Sequence, residues 1–76
     1  MEPLFRRVVI KQEKQPEDAY AEVKLRAYLH KVAADCDERL QNKIGKEIKY
    51  TTGDIVDTDQ EFDYILLHET SLLYFV

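Results

Sequence analysis

Cys36 is the one residue in this chain whose side chain could serve as a strong nucleophile, and its neighbours are Asp35 and Asp37. A cysteine attacks as its thiolate, and adjacent carboxylates disfavour that anion. Cys36 is therefore a poor candidate for covalent catalysis. We expect it to be a small core residue in a protein that keeps its thiol reduced.

The chain also contains no convincing set of residues for acid–base catalysis or for metal binding. Glu61 and Asp63 would share one face of a strand, but in so acidic a segment we expect solvated charge rather than a catalytic pair. His30 and His68 are far apart, and no Cys or His pair has the spacing of a metal site. With two glycines the chain has no glycine-rich phosphate loop. We expect a protein that binds rather than catalyses, with no metal or cofactor.

Charge is unevenly distributed along the chain. Residues 1–50 hold all eleven basic residues against nine acidic ones, whereas residues 51–76 hold six acidic residues and no basic one. No dense basic patch is present, so nucleic-acid binding is disfavoured. The two parts carry net charges of +2 and −6. Opposite charges allow head-to-tail attraction between copies, but two charged surfaces that simply face solvent would give the same distribution.

The small size of the chain predicts that it associates with other subunits. The 76 residues make one domain, 1–76, and a chain this short buries only about 60–65% of its unfolded surface. A single cysteine rules out an internal disulfide, so self-association is the expected route to stability. No apolar run approaches the roughly 20 residues of a membrane span, and no secretory signal is recognisable. We expect a cytoplasmic protein without membrane contact.

Strand signals lie at both ends of the chain. Arg6–Lys11 contains three consecutive β-branched residues. Ile44–Tyr50 alternates apolar and polar residues, or turns at Gly45 into a strand. In the tail Phe62–Val76, two short apolar runs flank the polar tetrad 68–71, which predicts two strands and a turn. The apolar end of the tail is costly to leave in water, so we expect it to dock on its own core or on a neighbouring subunit.

The middle of the chain supports two interpretations. Apolar residues recur at spacings of three and four, and Pro16 and Gly45 suit a helix start and end. This pattern predicts one central helix at about 17–42 in an α+β fold. The alternative is a pair of strands with loops in an all-β fold. The recurring apolar residues are Leu25, Leu29, Val32, Cys36 and Leu40.

Three segments, in this order, resemble one family. Pro3–Lys11, which reads Pro-Leu-Phe-Arg-Arg-Val-Val-Ile-Lys, resembles the first strand of GroES-type co-chaperonins, the chaperonin-10 family. Ile44–Tyr50 resembles the Val-Gly-Asp-Lys-Val-Leu-Phe strand of that family. Asp57–Leu73 resembles its closing stretch of an acidic turn, Glu-Tyr-Leu-Ile-Leu and Arg-Glu-Ser-Asp-Ile-Leu. The closing match is the most specific, and together the three cover about half of the chain.

The resemblance implies an all-β fold, a small irregular β-barrel. It also implies a homo-oligomer, a heptameric ring that caps a GroEL-type chaperonin and assists protein folding. In this family the N-terminal strand of one subunit pairs with the C-terminal strand of the next, which would remove two exposed strand edges. The interface is accordingly assigned to apolar residues at the two ends of the chain: Leu4, Val8, Ile10, Leu72, Tyr74 and Val76.

The chain departs from the family where the chaperonin-binding loop should be. The family has a long loop with a Gly-Gly-Ile-Val-Leu segment, whereas residues 12–25 here are short and contain no glycine. The apolar anchors left for chaperonin binding are Tyr20, Val23 and Leu25. The shortened loop points to a minimised member of the family, for example one that is encoded by a virus and acts in the host cytoplasm. The alternative function is a small non-enzymatic α+β interaction module, an inhibitor or adaptor.

Overall fold

The computed structural model describes residues 2–14 and 25–76, and their regular structure is mostly β-strand. Four strands form one antiparallel sheet in the order β2-β1-β5-β4, and two strands form a second sheet, β3-β6. The all-β fold class is therefore confirmed. In chain order the elements are β1 (Arg7–Glu13), β2 (Ala27–Val32), α1 (Glu38–Gln41), β3 (Ile48–Tyr50), β4 (Asp54–Thr58), β5 (Phe62–His68), a 3-10 turn (Glu69–Ser71) and β6 (Leu72–Phe75).

The run Val8-Val9-Ile10 lies in β1, as its β-branched residues predict. β1 lies between β2 and β5 and is paired along both edges, so it is a central strand. All three side chains of the run are completely buried. Burial on both faces explains why the run is continuously apolar rather than alternating.

One core unites the two sheets. Val8, Ile10 and Leu29 of the larger sheet contact Ile48 of the smaller one, and Cys36 is buried at its margin. The sheets are also joined through the backbone, because Leu29 N donates to Lys46 O at 3.0 Å and Gly45 N donates to Leu29 O at 2.8 Å. Cys36 is thus the core residue that the sequence predicts.

The alternative prediction of a central helix at 17–42 is wrong for the residues that the structure describes. Ala27–Val32 is a strand, and the helix α1 is a single turn, Glu38–Gln41. Residues 17–24 of that prediction lie outside the described part. The helical spacing arises because Leu29 on a strand, Cys36 in a turn and Leu40 on α1 all reach the same core from different elements.

The predictions for the second half are confirmed. Gly45 has a φ of 92° in the turn that leads to β3, a conformation that glycine adopts without strain. The tail forms β5 and β6, and the tetrad between them forms the 3-10 turn. His68 caps this turn, with its Nδ1 accepting a hydrogen bond from Thr70 N at 3.2 Å.

Gly53 stands where the chain enters β4 against β5. A Cβ atom there would lie 2.6 Å from Ile65 Cγ2 and 3.1 Å from the backbone oxygen of Leu66. We therefore expect Gly53→Ala to lower the free energy of unfolding by roughly 1–3 kcal/mol, the usual cost of overpacking. Urea titration of this variant beside Thr52→Ala, an exposed neighbour, measures the effect. Equal stability of the two variants would show that β4 does not approach β5 this closely.

Candidate subunit interface

Among the apolar side chains left uncovered in the described part of the chain, two groups lie near its two ends. The first is the N-terminal arm, residues 2–6, which precedes β1. Leu4 is 64% exposed and Phe5 is 74% exposed, whereas Pro3 between them and the terminus is buried. The second lies along β6, where Leu73 is 56% exposed and Tyr74 is 60% exposed.

The arm lies against the face of the larger sheet that points away from the core. Val8 and Ile10 belong to the core cluster, so strand alternation places Val9 on the opposite face. Val9 is nevertheless fully buried. Its partner on β5, Leu66, lines a cavity together with Pro3 and Leu4. The arm thus provides the cover that a second, small apolar layer needs.

A groove runs between α1 and β6. It has a volume of about 480 Å³, and Leu40, Ile48, Leu72 and Phe75 are its main apolar residues. β6 forms one side of it, and in the described part of the chain β6 is hydrogen-bonded to a strand, β3, along one edge only. The groove therefore offers both an apolar floor and an open strand edge, which are the two requirements for adding an extended peptide. No residue of the arm lines it.

Charged residues border the groove. Arg39 and Lys43 lie on the α1 side, and Asp37 and Glu69 lie at one end. Asp37 is the N-cap of α1, accepting from Arg39 N at 2.9 Å, and its carboxylate also pairs with the Arg39 guanidinium at 2.9 Å. These hydrogen bonds from Arg39 lower the pKa of Asp37 to about 2. Lys43 adds a positive charge and Glu69 a negative one, so the charges that border the groove balance.

Below this end of the groove the thiol of Cys36 is kept protonated. Burial is the main cause of its raised pKa, and the negative charge of Glu69 adds to the shift. The thiol donates a weak hydrogen bond to Arg7 O, with a sulfur–oxygen distance of 3.6 Å. Cys36 therefore acts here as a packing residue at the base of the arm. Among the described residues, no three His, Cys, Asp or Glu side chains are grouped to hold a metal ion.

The structure divides the residues assigned to the interface into two groups. Leu4, Tyr74 and Val76 are exposed, and Leu72 is half-buried against the core. Val8 and Ile10 are completely buried in the chain's own core, so neither side chain is exposed for contact with another copy. β1 has a partner strand on each edge, and the arm ahead of it does not belong to the sheet.

Of the residues assigned to chaperonin binding, Leu25 is half-buried just before β2. Tyr20 and Val23 lie outside the described residues. Sequence reasoning missed Phe5 and Leu73, the exposed neighbours of assigned residues, and the charged residues that border the groove. The apolar triplet 3–5 was the available signal for Phe5, whereas nothing in the sequence placed α1 beside β6.

No protein-family model, curated protein or solved structure matches this chain. The resemblance to GroES-type co-chaperonins therefore rests on the three sequence segments that carry it. In the part of the chain that the structure describes, no helix has the length and apolar character to cross a membrane.

Proposed function

We propose that this chain is a co-chaperonin subunit that assembles head to tail into a ring and caps a chaperonin in the cytoplasm. One observation carries the assembly: the same chain has an exposed apolar arm and, beside an open strand edge, an apolar groove that its own arm does not line. The arm cannot fill its own groove while it lies on the outer face of its own sheet, so the groove is open to the arm of another copy.

The chemistry of the arm matches that of the groove. Leu4 and Phe5 supply apolar side chains for the apolar floor of the groove. Backbone groups of the arm would pair with the open edge of β6. Because different surfaces meet, the contact is heterologous, and repetition closes a ring when the rotation per subunit divides a full turn. The family resemblance suggests seven subunits and closure of each subunit into a small barrel.

Capping requires a second contact, for which the resemblance assigns the segment between β1 and β2. Tyr20 and Val23 would be its apolar anchors and Leu25 would lie near its end. A ring presents several copies of this segment at once, so weak individual contacts add up through effective concentration. Such a subunit needs no catalytic residues, and its action is to bind and release.

The test is binding to a GroEL-type chaperonin in the presence of ATP or ADP, measured by co-sedimentation and by the chaperonin's ATPase rate. We expect wild type to co-sediment and the double variant Tyr20→Ser/Val23→Ser to lose binding while its oligomer mass is unchanged. Ile55→Ser, which changes an exposed residue on β4, is the matched control and should bind as wild type does. Failure of wild type to bind in any nucleotide state would refute the capping function.

The alternative, a small interaction module, keeps the same arm and groove without the chaperonin. No specific observation favours it, since the helix on which it depended is a strand at residues 27–32. An interaction module would become the preferred function if the wild-type protein forms the assembly but does not bind a chaperonin.

A further inference from the structure

Phe5 and Arg6, at the junction of the arm and β1, both have left-handed backbone conformations. Their φ angles are 57° and 58°. This region is uncommon for residues other than glycine, because the Cβ atom comes too close to the following carbonyl oxygen. Two successive residues in this conformation, one of them a bulky aromatic, are locally unfavourable. Contacts with the surrounding structure must therefore hold the backbone in this conformation.

The contacts that enforce it are hydrogen bonds to the backbone of Arg6. Its N–H donates to Asp35 Oδ1 at 2.9 Å, and its carbonyl oxygen accepts from Glu69 N at 2.9 Å. The Arg6 guanidinium lies 3.9 Å from the Glu69 carboxylate, a weak pair because the arginine is largely exposed. Next to the turn, Arg7 O accepts from Ala33 N at 3.0 Å. Two separate parts of the chain, residues 33–35 and Glu69, thus hold the turn in place.

The turn determines where the arm goes. An extended chain at these positions would carry residues 2–4 away along the line of β1. With the turn, Pro3 is buried on the outer face of the sheet and the next two side chains, Leu4 and Phe5, project from the subunit. The turn places Pro3 over the outer apolar layer of the sheet, and it also leaves Leu4 and Phe5 largely exposed, an arrangement that favours association with another copy. Strained backbone of this kind collects at binding sites, where it fixes a geometry in advance.

We infer that the left-handed turn at Phe5–Arg6 preorganises the arm for docking into the groove of the adjacent copy, and that Asp35 is its positioning residue. The inference deepens the proposed function and rests on it. Because the direction of the arm is set within the free subunit, less conformational entropy is lost when two copies associate. Asp35 touches no neighbouring copy in this account and acts through the backbone of Arg6.

Substitutions at Arg6 separate the backbone conformation from the charge. Arg6→Asn and Arg6→Gly tolerate the left-handed region, whereas Arg6→Val, with a β-branched side chain, strongly disfavours it. All three remove the guanidinium, so the pair with Glu69 is lost equally. By sedimentation equilibrium we expect Arg6→Asn and Arg6→Gly to self-associate within about threefold of each other, and Arg6→Val to associate about tenfold more weakly.

The second pair of variants addresses Asp35. Asp35→Asn keeps an oxygen that can accept from Arg6 N, and Asp35→Ala does not. We expect weaker self-association for Asp35→Ala and near wild-type association for Asp35→Asn. Thermal unfolding of each variant at a concentration where it is monomeric verifies that it is folded.

The outcomes distinguish this inference from the proposed function. If wild type assembles and Arg6→Val assembles as well as Arg6→Asn, the turn does not preorganise the arm, and the assembly itself still stands. If Arg6→Val assembles more strongly, the arm docks in an extended form and the inference is overturned. If wild type sediments as a monomer at every concentration, the proposed assembly fails and this inference fails with it.

Discussion

Leu4→Asp is expected to convert the assembled protein into folded monomers. The side chain is 64% exposed in the free chain, so its loss should change monomer stability by no more than about 0.5 kcal/mol. In the assembly it would lie on the apolar floor of the neighbour's groove, where a buried carboxylate has no partner. Central apolar anchors of interfaces typically contribute 2 kcal/mol or more, so each contact should weaken by about 30-fold at least.

A matched control exists for this variant. Ile55 on β4 is also 64% exposed, but it lies away from both the arm and the groove. Ile55→Asp introduces the same charge into an equally exposed apolar position. Size-exclusion chromatography with light scattering should show monomers for Leu4→Asp and the wild-type mass for Ile55→Asp. Equal masses for the two variants would contradict the assignment of the arm to the interface.

Ile10→Ala is expected to be the most destabilising of these substitutions. Ile10 is fully buried between residues of both sheets, and truncation to alanine at such positions costs about 2–5 kcal/mol. For a domain of this size each kcal/mol lowers Tm by about 4–8 °C, so a fall of roughly 8–40 °C is expected. Ile55→Ala, which is exposed, should change Tm little.

The measurement should be made on the Leu4→Asp background, where assembly does not contribute to Tm. If Ile10 belongs to the core of the single chain, the full loss of Tm remains on that background. If Ile10 instead contributed to an interface between subunits, its effect would largely disappear there. This comparison therefore tests whether Ile10 packs within one chain or between subunits, as well as the size of the effect.

Sequence reasoning succeeded where local composition decides the structure. The β-branched run of β1 and the two apolar runs of the tail are strands, and the polar tetrad between the latter is a turn. It did not reveal that Val8 and Ile10 lie on a central strand, because period and composition do not show whether a strand is central or at an edge. The pairing of β1 with both β2 and β5 is a property of the whole sheet.

The middle of the chain illustrates a second limit. Helical spacing of Leu29, Cys36 and Leu40 was produced by three different elements that meet at one core. The left-handed turn at Phe5 could not be predicted either, since local propensity opposes it and distant groups, Asp35 and Glu69, impose it. Of the apolar residues that the resemblance assigned to an interface, Leu4, Tyr74 and Val76 are exposed in the structure.

Native mass in solution tests the central claim most directly. The account predicts that the wild-type protein sediments as an oligomer, a heptamer of seven 9.0 kDa chains according to the family resemblance, and that Leu4→Asp sediments at 9.0 kDa. A wild-type protein that remains at 9.0 kDa up to millimolar concentration, with Leu4 and Phe5 still open to solvent, would contradict the claim that the arm of one copy fills the groove of the next.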